Sequence, residues 1–178
     1  KPIVRLTVEK GIAANFNPII VVTGSQAEEI EKALKDMSIT IEHNPNWENG
    51  QSTSLKAGMK AVPADAFAVC IMLADQPMVS IKTLEALKRI QLSNPDKLIA
   101  PEYHGKRGNP VLIPSAFFQE LIESSSGDEG GRALFKTKEV ILVPVTDPAV
   151  IRDIDTMEDY NELLKEGMNG NDKPLENE

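Results

Sequence analysis

The sequence predicts an α/β domain built on a mostly parallel sheet with helices on both faces. Three observations carry that expectation. The runs "NPIIVVTG" (17–24) and "AFAVCIMLA" (66–74) are apolar throughout, as strands buried on both faces are. Segments between such runs repeat their apolar residues at helical spacing. The two patterns alternate along the chain, which is the order of a doubly covered sheet.

The chain begins "KPIVRLTVEKGIAANF", which reads as an amphipathic helix with Ile3, Val4, Leu6, Val8 and Ile12. After the strand at 17–24, Ser25 and Glu28 form a capping-box pattern. Ile30, Ala33, Leu34 and Met37 continue as a helix. "SITIEHN" (38–44) alternates and is β-branched, hence a strand, and "STSLKAGMKAV" (52–62) places Leu55, Met59 and Val62 on one helical face. The strand at 66–74 runs up to Asp75, with Pro77 behind it, and Ser80 caps a helix carrying Ile81, Leu84, Leu87 and Ile90. "KLIAP" (97–101) and "NPVLI" (109–113) are short strands, "AFFQELIES" (116–124) is a helix, and "EVILVPV" (139–145) is a strand. Thr156 and Asp159 cap a last helix with Met157, Tyr160, Leu163 and Leu164. The polar residues 167–178 have little to bury and are expected to be disordered, leaving one domain over residues 1–166.

Nineteen basic against 27 acidic residues give a net charge of −8, a field that repels nucleic acid and anionic lipid. No apolar run has membrane-spanning length, no secretory signal pattern is present, and the cytoplasm is the expected compartment. The one cysteine, Cys70, lies between core-facing residues and reads as a small hydrophobe. His43 and His104 have no neighbours of zinc-ligand type.

In an open α/β sheet, ligands bind beyond the carboxyl ends of the strands, where Asp75 is expected. A hard cation such as Mg²⁺ suits it; the bland reading is that Asp75 turns the chain. "RDIDT" (152–156) offers Asp153 and Asp155 on one face if extended, with Ile154 on the other; helix-dipole placement is the alternative for Asp155. In "NPNWENGQSTSL" (44–55), Gly50 permits a tight turn, and Ser52, Thr53 and Ser54 bring hydroxyls to a helix N-terminus suited to an anion or a nucleotide's polar edge. Trp47 reads as packing rather than base stacking. "HGKRGNPVLI" and "SGDEGGRAL" set Lys106, Arg107 and Arg132 among glycines, a local positive pocket for a phosphate-bearing substrate, although arginines in surface turns are common.

"NPNWENGQSTSLKAG", "MLADQP", "GKRGNPVLI", "GDEGGRAL" and "DIDTMEDY" occur in an order and at spacings similar to those of the molybdenum cofactor nucleotidyltransferases, and the chain most resembles their cytidylyltransferase branch from Lys1 to about Lys165. The resemblance implies a Rossmann-like nucleotidyltransferase fold and Mg²⁺-dependent transfer of CMP from CTP to the phosphate of molybdopterin, releasing pyrophosphate. GTP, or a sugar-phosphate acceptor, is the alternative. By motif it implies Asp75 and Asp155 (less surely Asp153) as metal ligands and Arg107 as a catalytic group. Gly50, Ser52 and Ser54 would lie with Asp75 at the nucleotide, and Arg107, Gly108, Asn109 and Asp128 on the acceptor side. A molybdoenzyme or its maturation factor would receive the product. The family also opens with a strand and a glycine-rich loop carrying an arginine and then a lysine, which would precede Lys1. With that cradle the protein should be a working enzyme; without it, a non-catalytic cofactor-binding module is the rival reading.

Overall fold

Residues alternate sides along a strand, so a sheet covered on both faces needs two apolar sets, and this chain supplies them. The computed structural model describes residues 1–124, 131, 132 and 134–169. Its elements run α1 (Ile3–Ala13), β1 (Ile20–Thr23), α2 (Ala27–Leu34), β2 (Thr40–His43), α3 (Gln51–Lys60), β3 (Ala68–Ile71), α4 (Ile81–Ser93), β4 (Leu98–Tyr103), β5 (Lys106–Arg107), β6 (Val111–Pro114), α5 (Phe118–Ser124), α6 (Leu134–Thr137), β7 (Val140–Pro144) and α7 (Met157–Asn169). On one face of the larger sheet, Leu98, Ala100, Val111 and Ile113 pack with Met59, Leu121 and Leu134 from α3, α5 and α6. On the other face, Ile99 and Leu112 pack with Leu87 of α4. Cys70, half-buried, packs against this second cluster, and desolvation pushes its thiol up to about 12.

The sheet is not mostly parallel, as the sequence suggested. Among the described residues, β1–β2 and β4–β7 are parallel, whereas β3–β6, β4–β6 and β4–β5 are antiparallel. The cause is local. His104 and Gly105, at φ 49° and 75°, turn the chain back into the two-residue strand β5. The stretch from Tyr103 to Val111 is too short for the crossover of about a dozen residues that a parallel return needs. The strands also divide into two sheets: β1 and β3 do not pair, and a cavity of about 670 Å³ separates them, walled by Ile20, Val22, Val69 and Ile71.

Helix starts follow the sequence unevenly. Ser80 caps α4, accepting from the Thr83 amide at 3.1 Å. The Thr156 hydroxyl accepts from the Asp159 amide at 3.1 Å and donates to its carboxylate at 2.7 Å. The Ser25–Glu28 box does not form, because Gln26 takes a left-handed conformation (φ 55°) and α2 starts at Ala27 without a side-chain cap. Trp47 is 41% exposed, and its Cβ and Cγ lie against Gly24, so it packs on the chain and stays partly open to solvent. Helix α7 continues to Asn169, into the segment expected to be disordered; 170–178 lie outside the described residues.

Asp147 ties the start of α4 to the turn at Pro148–Ile151. Its Oδ2 accepts from the Ser80 amide and the Thr83 hydroxyl, each at 2.8 Å, and its Oδ1 from the Ala149 amide at 3.1 Å. Burial opposes the charge, but these hydrogen bonds outweigh it and hold the carboxyl below its usual range. A depressed folded value contributes stability above the unfolded value of about 3.9, lost as pH falls through the folded one. Asp147→Asn should therefore lower Tm at pH 7 and flatten its dependence on pH below about 4. Thermal melts of both proteins from pH 2 to 7 read this directly.

Candidate active site

Strand β3 ends at Ile71, so Asp75 stands in the turn beyond it rather than at the strand's last residue, as the apolar run suggested. That turn is pinned from two sides. The Thr7 hydroxyl of α1 donates to the Ala74 carbonyl at 3.2 Å, and the Ile154 amide donates to the Asp75 carbonyl at 2.8 Å. The second bond brings the "DIDT" segment beside Asp75. Gln76, in the same turn, donates from Nε2 to Asp153 Oδ1 at 2.6 Å. Asp155 is held differently: its amide and that of Thr156 donate to Asp159 Oδ2, at 3.2 and 2.8 Å.

The electrostatics of this corner are unfavourable for the protein alone. Burial pushes the Asp75 carboxyl above its usual range, and the charge of Asp153, then of Asp155, adds to it. Asp75 Oδ1 is buried with no hydrogen-bond partner. Among the described residues, no lysine or arginine forms an ion pair with any of the three. An orphaned carboxylate oxygen facing further carboxylates is a donor set for a hard cation. No group of three or more metal-ligating side chains closes around it among the described residues. A cation such as Mg²⁺ takes one or two carboxylates and leaves its other positions to water and phosphate.

The loop before α3 is organised by a residue that sequence reasoning passed over. Asn44, 3% exposed, donates from Nδ2 to Thr53 Oγ1 at 2.8 Å and to Ser54 Oγ at 3.0 Å. Thr53 Oγ1 donates to the carbonyls of Gly50 and Asn46. Gly50 makes the turn at φ 99°, and no side chain caps α3. Two of the three hydroxyls thus have partners within the loop, and Ser52 is buried; Ser54 and Gln51 reach the large cavity.

Arg107, Gly108, Asn109 and Arg132 line the same cavity. Arg107 stacks on Phe135, with Cζ 4.4 Å from the ring centroid, and desolvation together with the charge of Arg132 lowers its pKa. Two like charges kept together beside a cavity suit an anion. Lys106 is exposed and does not line the cavity. Asp75 does not line it either, although its neighbour Ala74 does. Asp128 lies outside the described residues.

Residues 1–141 match the family model of the MobA-like NTP transferase domain. The chain belongs to that family. The molybdenum cofactor cytidylyltransferase of Escherichia coli (strain K12) is 31% identical over 144 residues, covering 80% of this chain and 71% of that protein. The nicotine blue oxidoreductase of Paenarthrobacter nicotinovorans is 24% identical over 175 residues, covering 92% and 83%. Among solved structures, Rv0371c from Mycobacterium tuberculosis H37Rv in complex with manganese superposes with a TM-score of 0.77 at 25% identity, over 92% of this chain and 85% of that one. As a MobA-like NTP transferase the protein is a nucleotidyltransferase, with the α/β fold of that class. No helix among its described residues is long and apolar enough to cross a membrane.

Proposed function

We propose that this MobA-like transferase joins CMP, from CTP, to the phosphate of a molybdopterin-type acceptor and releases pyrophosphate. The observation that carries this reading is the meeting of Asp75 with the "DIDT" carboxylates across the Ile154–Asp75 backbone bond. A bound Mg²⁺ would neutralise charge on the transferring phosphoryl group. Asp75 and the carboxylates of Asp153 and Asp155 would hold that cation at the mouth of the crevice. Gly50, Ser54 and the uncapped start of α3 would lie at the nucleotide, and Arg107, Gly108 and Asn109 at the acceptor. The resemblance to the Escherichia coli cytidylyltransferase supports cytidine over guanosine.

The test is pyrophosphate release from Mg²⁺-CTP with and without molybdopterin, with GTP in parallel. Acceptor-dependent release from CTP is the expected result. Release from GTP alone would reassign the base, and none from either would overturn the reading. Arg107→Ala should raise the acceptor KM by about tenfold with a smaller change in the KM for CTP, the loss of one charged hydrogen-bond donor.

A further inference from the structure

We infer that Asn44 is a positioning residue: its buried amide presents the Ser54 hydroxyl to the large cavity as a hydrogen-bond donor for an acceptor atom of the bound nucleotide. The inference rests on the nucleotide reading above and assigns the polarity of one of its contacts. Asn44 is 3% exposed and stands just past β2, with its backbone amide donating to the Thr23 carbonyl of β1 at 2.7 Å. The orientation of its side-chain amide follows from chemistry. The Asn46 amide, which can only donate, lies 3.0 Å from Asn44 Oδ1, so the NH₂ group must face the start of α3. Both of its hydrogens are used there, on Thr53 Oγ1 at 2.8 Å and on Ser54 Oγ at 3.0 Å. The two hydroxyls then part. Thr53 turns its own hydrogen back to the carbonyls of Gly50 and Asn46, at 2.8 and 2.9 Å. Ser54 accepts from Asn44, and its hydrogen has no acceptor among the described residues. Ser54 is half-buried and lines the cavity one helical turn after Gln51, so that hydrogen is left for a ligand. A free hydroxyl accepts as readily as it donates; the spent amide of Asn44 removes that choice.

CTP binding to the full chain in Mg²⁺, titrated calorimetrically with GTP in parallel, tests the role through a double-mutant cycle. Ser54→Ala removes the donor and should weaken binding about fivefold, the value of one neutral hydrogen bond. Asn44→Asp keeps the shape and the acceptor for Asn46 but has no hydrogen to give. The Ser54 hydroxyl then donates to the carboxylate instead of the ligand, and the loss should again be about fivefold. The double variant should lose no more than either single one, whereas two independent contributions would multiply to about 25-fold. A merely structural asparagine would not show that coupling. Should Asn44→Asp fail to fold, Asn44→Ser, too short to reach both hydroxyls, takes its place in the cycle. Wild-type affinity in either folded single variant, or multiplied losses in the double, overturns the role of Asn44. Binding of GTP but not CTP would overturn the base assignment alone, with the cycle then run on GTP. Binding of neither would overturn the nucleotide reading itself.

Discussion

Asp75→Asn is expected to lower kcat for nucleotidyl transfer by about 10²–10³-fold or more while leaving the metal-free protein more stable than wild type. The loss of rate follows from the role proposed for Asp75 in holding a cation: catalysis of phosphoryl transfer rests on positioning and charge neutralisation, and preorganised electrostatic groups are typically worth that factor. The gain in stability follows from the environment of the carboxylate. Burial and the charges of Asp153 and Asp155 raise its pKa, and Oδ1 has no partner. A carboxyl with a raised folded value contributes stability below the unfolded value of about 3.9, and that contribution is lost as pH rises through the folded value. At pH 7 the ionised group therefore opposes folding, and a neutral amide relieves it. Parallel melts in EDTA at pH 4 and pH 7 should show the variant's advantage at pH 7 shrinking toward pH 4. A variant that keeps wild-type turnover would remove Asp75 from the chemistry. One that loses stability at pH 7 would show the carboxylate to be structural.

The same corner shows what could be read from the sequence and what could not. The strands at 17–24, 38–44, 66–74 and 139–145 were legible because an apolar or alternating run constrains the backbone locally, although the paired residues are fewer than the runs: β3 keeps only Ala68–Ile71. Strand β5 was not legible. Its two residues are Lys106 and Arg107, and only the turn through His104 and Gly105 makes them a strand. Missing that turn is also why a mostly parallel sheet was expected. Asp75 stood out because a carboxylate and a proline end an apolar run. Gln76, Asn44 and Phe135 did not, because each is defined by a partner: Asp153, Thr53 and Ser54, or Arg107. A polar residue's role depends on what the fold sets against it, and local pattern carries no such information.

Gly108→Ala should lower stability by about 1–3 kcal/mol, the usual cost of overpacking, and so Tm by about 2–4 °C for each kcal/mol. The reason is backbone rather than side chain. A Cβ on Gly108 would collide with the carbonyl of Val150, and neither partner can rotate away. The approach is held by hydrogen bonds on either side, from the Gly108 amide to the Pro101 carbonyl at 2.9 Å and from the Asn109 amide to the Val150 carbonyl at 2.8 Å. Gly108 lines the cavity, and the space that a Cβ would need is taken by the turn at Pro148–Ile151. The consequence reaches the chemistry, because this turn leads directly into Asp153 and Asp155. Pushing Val150 aside would shift the carboxylates relative to Asp75, and small misplacements of positioned groups cost rate steeply. The variant should therefore lose kcat at temperatures where it is still folded. A folded Gly108→Ala protein with wild-type kcat would mean that the strain stops at Val150 and is not passed to Asp153 and Asp155.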